Sequence, residues 1–349
     1  MTVREPLQLQ YEPITLNLST PFRIAHGTSV ARHNVLIRLG DGEHEGWGEA
    51  APVRQHAETQ SGVLDYLAAL PPLGDDPYQV EEILAALPPG SQAARAAVDM
   101  ALHDLLGKKL ALPLYRLWGL NPRSAPETSF TIGIGTVEEV QAKAIAAAKE
   151  FSILKLKLDG EHSLDLVRAV RAVTGARLVA DANCGWSEAQ TLDLLPALAD
   201  LGLEWVEQPL PEEDLEGLQR IRAASPLPIF ADEPVRTARD IVRLAGCVDG
   251  VNIKVMKAGG LREARRMIAV ARAHDLQVML GCMIETSLGI TASAHLAPLV
   301  DWADLDGNLT VTNDPFTGVR VEQGRLVLPG GPGLGVEMRP PAPRSEEPA

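Results

Sequence analysis

The chain has 349 residues and weighs 37.4 kDa, enough for about two domains or for one large barrel with additions. Apolar residues make up 46% and charged residues 22%, which excludes global disorder; a net charge of −14 with no basic run excludes a surface for nucleic acid or an anionic membrane. No stretch of about 18 apolar residues offers a membrane span, Met1–Gln10 lacks a signal-peptide core, and Cys184, Cys247 and Cys282 lie too far apart for a disulfide framework, so a cytoplasmic protein is expected.

The first segment, about Leu7 to Pro52, reads as strands. Tyr11–Leu18 is a strand, Ser19–Thr28 a loop, and Asn34–Leu39 alternates apolar and polar residues before the Asp41-Gly42 hairpin turn. From Gln55 to Leu120 the pattern is helical, with apolar residues at helical spacing over Ala93–Leu106 and Pro113 as punctuation. Strands followed by helices predict an α+β domain over residues 1–125.

After Pro126 short apolar runs alternate with helical stretches. Strands are expected at Phe130–Ile134, Ile153–Leu158, Leu178–Ala182, Trp205–Gln208, Ile229–Asp232, Gly250–Val255, Gln277–Gly281 and Trp302–Asp306. One residue near the end of each, namely Thr131, Lys157, Asp181, Glu207, Asp232, Lys254, Gly281 and Asp304, recurs every 22–27 residues. One strand, one loop and one helix of 10–14 residues fill that period, and eight such units over 126–320 predict a (β/α)₈ barrel. A doubly wound sheet rarely sustains eight equal units and calls for a glycine-rich phosphate loop, of which Gly133-Ile-Gly135 is only a fragment. Residues 321–349 form an extension. Val319–Leu328 reads as a hairpin around Gln323-Gly324, and Gly330–Gly335 as a loop, since Pro332 and the lack of a lysine argue against a phosphate cradle. Pro340–Ala349 has the composition of a mobile tail.

Chemistry in such a barrel belongs at the C-terminal ends of the strands. Asp181, Glu207 and Asp232 close three successive strands, each after an apolar run, so the three carboxylates can converge. Carboxylates at these junctions can also cap helices, but three in register suit Mg²⁺, which prefers hard oxygen ligands. Only eight of the 32 basic residues are lysines, and four of these fall in two short apolar runs: Lys155, Lys157, Lys254 and Lys257. Arginine stays charged in a protein, whereas a partly buried lysine can lose its proton and act as a base. Lys155 and Lys157 are two apart and share a face. Lys157 lies on the second strand and Lys254 on the sixth, opposite in an eight-membered ring. That placement suits proton removal from one face of a carbon and delivery to the other. Bidentate binding of a carboxylate to Mg²⁺ would stabilise the enediolate left when its α-proton departs, and desolvation, the metal charge and the neighbouring ammonium would lower a lysine base toward neutrality. Lys155 could also hydrogen-bond the substrate carboxylate.

Lys155-Leu-Lys157, Asp181-Ala-Asn183, Glu207-Gln-Pro209, Asp232-Glu-Pro234 and Asn252-Ile-Lys254 running to Gly259-Gly260 together resemble the enolase superfamily, muconate-lactonizing-enzyme subgroup, over nearly the whole chain. The resemblance implies an α/β fold, a modified (β/α)₈ TIM-type barrel with an N-terminal α+β capping domain, and an extension (321–349) packing back toward the cap. It implies one Mg²⁺ per subunit on Asp181, Glu207 and Asp232, with Lys157 and Lys254 as the two bases; lysine bases working with Mg²⁺ belong to that superfamily's known chemistry. Lys257 is not carried over as a base. Asp304-Leu-Asp306 on the eighth strand, with Met283-Ile-Glu285-Thr286 ahead of it, resembles the dipeptide epimerases, in which a carboxylate pair would hold the free α-ammonium of a dipeptide.

The expectation is therefore a cytoplasmic isomerase, a homo-oligomer, that inverts the C-terminal residue of a dipeptide through an enediolate. Thr131, Arg23, Met283, Lys155, Asp304 and Asp306 would bind the substrate. Racemisation of N-acylamino acids and o-succinylbenzoate synthase or muconate cycloisomerase chemistry are the alternatives on the same site; a metal-binding barrel with a structural or binding role is the alternative without catalysis. Ser19–Thr28 and Trp47–His56 should cover the site as lids. Members of Ala-Glu specificity carry an arginine in the first of these loops, where Gly27 stands here with Arg23 and His26 close by, so the resemblance does not fix the preferred side chain. His26 and His56 read as loop or packing histidines.

Overall fold

A computed structural model describes residues 5–24, 27–160 and 162–340; His26 and residues 341–349 of the expected tail lie outside this description. Three antiparallel strands open the chain in the order β1 (Gln8–Ile24), β2 (Gly27–Gly40), β3 (Glu45–Ala50). The stretch expected as a loop, Ser19–Thr28, is instead mostly strand: Phe22 pairs with Ser29, Arg23 with Thr28 and Ile24 with Gly27, beyond a register shift after Asn17. This end of the ribbon is largely exposed, so no apolar-polar alternation marks it in the sequence. The Asp41-Gly42 turn joins β2 to β3 as its residue types predict.

The cap sheet lies on the helix Gln92–Lys109. Ser91 caps that helix by accepting a hydrogen bond from the Ala94 amide. Its buried alanines leave room for β3 to lie against the helix backbone. Gly46 and Gly48 make that approach possible, for a Cβ at either would stand 2.0 Å from the carbonyl oxygens of Ala101 and Ala97.

Eight parallel strands follow: β4 (Phe130–Ile132), β5 (Ile153–Lys157), β6 (Arg177–Asp181), β7 (Leu203–Glu207), β8 (Ile229–Ala231), β9 (Gly250–Lys254), β10 (Gln277–Gly281) and β11 (Trp302–Asp304). Each pairs with the next in chain order, and helices connect them. A hydrogen bond from the Ser129 amide to the Ala303 carbonyl, 2.9 Å, and a bridge from Thr128 to Ala303 bring the two edges together, so the barrel is nearly closed. All eight expected strands are present, most of them a residue or two shorter at the C-terminal end.

Period-two alternation divides each strand between two surroundings. Leu154, Leu156, Leu178, Ala180, Val206, Ile229, Ile253 and Leu280 point outward into the main apolar cluster. Ile153, Val179, Trp205, Phe230 and Met279, with Trp302 beside them, form a separate apolar plug inside the barrel. Two residues further along, the same inward face becomes polar: Lys155, Asp181, Glu207, Asp232 and Asp304. The plug is thus the floor on which the polar layer stands.

Beyond the barrel, β12 (Phe316–Thr317) pairs with β15 (Glu337–Met338), and β13 (Arg320–Glu322) pairs with β14 (Arg325–Val327) around Gln323-Gly324, the hairpin expected there. The chain then returns to the cap: the Leu334 amide donates to Asp104 Oδ1 at 2.7 Å, and the Leu114 amide to the Gly333 carbonyl at 2.8 Å. Among the described residues no helix is long and apolar enough to cross a membrane.

Candidate active site

Asp181, Glu207 and Asp232 end or follow β6, β7 and β8, and one carboxylate oxygen from each lies within 4.8 Å of the others. The backbone after each of the first two turns sharply. Asn183, Cys184 and Gln208 all take positive φ (43°, 62° and 38°), a region that costs a non-glycine residue energy and persists where its surroundings hold it. What holds it is a set of hydrogen bonds. The Asn183 amide donates to Asp181 Oδ1 at 2.8 Å, the Gln208 amide to the Phe230 carbonyl, and the Asp232 amide to Gln208 Oε1 at 2.9 Å. Asn252 Nδ2 donates to Glu207 Oε1 at 2.7 Å.

Four lysines balance these charges. Lys157 Nζ lies 2.5 Å from Asp181 Oδ2 and Lys254 Nζ 2.7 Å from Asp232 Oδ2. Lys257 Nζ bonds the carbonyl and a carboxylate oxygen of Asp232 from behind. Lys155, only 1% exposed, stands 2.6 Å from Glu207 Oε2, 2.7 Å from Asp304 Oδ2 and 3.4 Å from Asp181 Oδ2.

Burial opposes the charge on Lys155, but Asp304, Glu207 and Asp181 outweigh it and hold the ammonium well above its ordinary range. Lys254 is likewise raised, burial being overcome by Asp232 and Glu207. Lys257 is lowered by burial, which Asp232 offsets in part. In this carboxylate-rich site the anions outweigh burial at Lys155 and Lys254, and a cation held by the triad would offset them. On the acid side, burial and then Asp181 push Glu207 up to about 7. Asp232 and Asp181 stay low despite burial, because Lys254 and Lys257 face the first, and Lys157 and Lys155 the second.

These residues fit a divalent cation. The donors are hard oxygens, and three buried carboxylates converge on one point.

The polar layer opens into a cavity of about 620 Å³ whose other wall is the cap. Lys155, Lys157, Lys254, Thr131, Met283, Asp304 and Asp306 all line it. Arg23 does not: its side chain is exposed on β1, and its backbone carbonyl accepts from the Ile134 amide. The Asp304-Leu-Asp306 pair is unequal. Asp304 accepts from Ser129 Oγ at 2.6 Å and from Lys155, and Lys155 holds it low against burial. Asp306 takes only the Thr131 amide at 2.6 Å among amide donors, and burial followed by Asp304 lifts it to about 6. His56 lies in a second cavity beside Arg236 and Lys257, and burial followed by Arg236 lowers it to about 4.

Both expected lid stretches contribute to the cavity wall, through Phe22, Gly27 and Thr28 and through Ala51, Pro52, Arg54 and Gln55. Sequence reasoning missed Ser129 as a support and gave Asn252, quoted in a motif, no role of its own, although each lies two residues before a singled-out residue and so shares its face. It also missed Arg32 and Arg54, which no local spacing connects.

Comparison with known proteins agrees with this geometry. Residues 138–342 match the family described as enolase C-terminal domain-like, and residues 11–119 the mandelate racemase / muconate lactonizing enzyme N-terminal domain. The chain is 40% identical over 335 residues to an L-Ala-D/L-Glu epimerase of Bacteroides thetaiotaomicron, covering 95% of this chain and 88% of that one. The structure superposes with a TM-score of 0.89 on the dipeptide epimerase of Enterococcus faecalis, solved with Mg and L-Leu-L-Tyr, at 33% identity over 95% of this chain and 99% of the other. It superposes equally on the muconate lactonizing enzyme of Pseudomonas fluorescens complexed with muconolactone, with a TM-score of 0.91 and 28% identity over 96% and 97% of the two chains. The chain belongs to the enolase superfamily, with a mandelate racemase / muconate lactonizing enzyme type of N-terminal domain.

Proposed function

We propose that this chain is a Mg²⁺-dependent dipeptide epimerase that inverts the α-carbon of the C-terminal residue by two-base 1,1-proton transfer, with one lysine on each face of that carbon. The observation that carries this reading is the placement of Lys157 and Lys254 on β5 and β9, four strands apart, with the acidic triad on the three strands between them. When bound at Asp181, Glu207 and Asp232, Mg²⁺ supplies Lewis-acid stabilisation of the charge that develops on the substrate α-carboxylate.

The chain's own residues do the rest. Lys157 and Lys254 approach the α-carbon from opposite sides, one removing the proton while the other delivers one, and they exchange roles with the epimer bound. Asp181 and Asp232 each hold one of these lysines, so the same carboxylates orient both bases. Asp306, with fewer partners than Asp304, takes the free α-ammonium. Asp304 and Lys155 form the buried pair that keeps this wall in place.

Proton exchange tests the reading. In D₂O with Mg²⁺ and a set of L,L-dipeptides, the NMR signal of the second residue's α-proton should disappear as the L,D form accumulates. Exchange in N-acylamino acids but in no dipeptide would sink it. Exchange without the epimer would leave only one competent base. Lys157→Ala should abolish turnover while Mg²⁺ binding, followed by calorimetry, persists; loss of both would contradict its role as a base.

A further inference from the structure

We infer that the buried carboxyls of Glu49 and Glu285 act together as a clamp that seats the cap on one wall of the active-site cavity, and that the clamp holds only while one proton stays on the pair. Its effect on turnover rests on the dipeptide-epimerase reading above; its effect on stability does not.

Glu49 lies on β3 of the cap, and Glu285 in the loop between β10 and the helix Ser287–Ala294. The proton transfer uses neither. Glu49 is sealed from solvent and Glu285 is 1% exposed. Glu49 Oε1 accepts from Asn34 Nδ2 at 2.8 Å, Oε2 from Thr286 Oγ1 at 2.6 Å and from the Gly289 amide at 3.1 Å, and the Thr286 amide reaches both oxygens at 3.0 Å. Glu285 Oε1 accepts from the Met283 amide at 2.8 Å, and its Oε2 has no donor. The two carboxyls crowd one point: a Cβ at Gly289 would stand 2.3 Å from Glu285 Oε2 and 3.0 Å from Glu49 Oε2.

These bonds fix the wall. Met283 and Ile284 line the cavity from the barrel, and Asn34 lines it from the cap. Asn34 Nδ2, besides holding Glu49, donates to the Ile284 carbonyl at 3.1 Å. Residues 283–286 are thus tied at one end by Glu285 and Asn34 and at the other by Glu49.

Among the described residues neither carboxyl forms an ion pair. Lys254, whose charge reaches Glu285, faces Asp232 at 2.7 Å. On the cap side Arg32 of β2 and Arg54, in the short turn Arg54–His56, both donate to Ser29 Oγ, at 2.6 and 3.3 Å. Asp314 is held by Ser287, and Cys282 stays a neutral thiol. Two adjacent carboxylates sealed from water cannot both ionise cheaply, so one keeps a proton. Glu49, with its four donors, is the carboxylate, and Glu285 is the acid. Burial, then the charge of Glu49, lifts Glu285 to about 8 against the pull of the Met283 amide and Lys254. Loss of that proton puts two negative charges beneath the wall and drives cap and barrel apart. In the unfolded chain a glutamate titrates near 4.3. Between there and about 8 the folded chain holds a proton that the unfolded chain has lost, so stability falls as pH rises through this window.

Glu285→Gln keeps an acceptor for the Met283 amide and cannot ionise. With Mg²⁺ and the best L,L-dipeptide of the exchange screen, the ratio of wild-type to variant kcat/KM should fall on the order of tenfold between pH 7 and pH 9.5, and the fall should sit in KM. The substrate ammonium titrates in the same range but acts on both proteins alike, so the ratio isolates the pair. Glu285→Met loses the acceptor as well; it should show a higher KM than Glu285→Gln at pH 7 and the same missing alkaline loss. A ratio constant across pH, or a fall carried by kcat, would overturn the inference. Urea denaturation without substrate or Mg²⁺ gives a second arm. The wild-type midpoint should drop relative to that of Glu285→Gln between pH 5.5 and pH 9, and parallel midpoints would overturn the clamp whatever the turnover. Exchange in no dipeptide would sink the epimerase reading and leave the clamp to be decided by these midpoints.

Discussion

Lys155 and Lys157 are two residues apart, point the same way and differ in role because of their neighbours. Lys155 touches three carboxylates and is sealed from solvent; Lys157 touches one and lines the cavity mouth more openly. Breaking a buried ion pair by removing one partner leaves uncompensated charge. Lys155→Met should therefore lower the unfolding free energy of the metal-free protein by about 3–5 kcal/mol, measured by urea denaturation. Saturating Mg²⁺ should restore part of that loss, because a bound cation stabilises the folded state and replaces the missing counter-charge. An unchanged midpoint without Mg²⁺, or a loss that Mg²⁺ does not reduce, would contradict the picture. Asp181, Glu207, Asp232, Lys157 and Lys254 were legible as a constellation because strand period and repeat length together specify face and depth. The structural weight on Lys155 was not, since it depends on Asp304, 149 residues away. Arg32 and Arg54 were illegible for the same reason: a turn and a ribbon bring them together, and neither has a period.

At the scale of the strand, the barrel interior is two layers with one alternation. Trp205 packs its ring 4.8 Å from that of Phe230 and 5.6 Å from that of Trp302, filling the floor with aromatic volume. Gly250 on β9 faces into this plug and has no side chain because Phe230 occupies the space; a Cβ there would stand 2.4 Å from the ring. Gly250→Ala should then cost about 1–3 kcal/mol by overpacking, and Phe230→Leu in the same chain should recover part of it. Additive losses in the double variant, read from denaturation midpoints, would show that the ring is not the obstacle. Strand positions in the barrel were legible because each strand is buried on both faces as an apolar run between turn signals. The outer end of the β1–β2 ribbon and the β12–β15 pair were not. The first is exposed on both faces, and the second is two residues long, so neither carries a hydrophobic pattern to read.

The cap, the barrel and the C-terminal segment meet through buried polar side chains that accept backbone amides. Glu49 of β3 takes the amides of Thr286 and Gly289 at the start of the helix Ser287–Ala294, and Asp99 takes the Arg262 amide at the start of Leu261–Ala273. His295 joins three segments at once. Its Nδ1 accepts from the Tyr115 amide at 3.1 Å, which leaves Nε2 to carry the proton and donate to the Leu334 carbonyl, also at 3.1 Å. A second proton would have to displace the Tyr115 bond, and burial lowers the imidazole to about 4. In the unfolded chain it titrates near 6.5. Between these values the unfolded state binds the extra proton and the folded state does not, so stability falls as pH falls. The contribution is complete above about pH 6.5 and is lost toward pH 4, to a total of about 3 kcal/mol. His295→Gln keeps a neutral donor and acceptor at this point and cannot take up a proton there. Urea denaturation of wild type and variant at pH 7.0, 5.5 and 4.5 should show a steeper loss in wild type, although the variant starts lower. Parallel losses would mean that carboxylates elsewhere carry the acid sensitivity and that this three-way joint is indifferent to protonation.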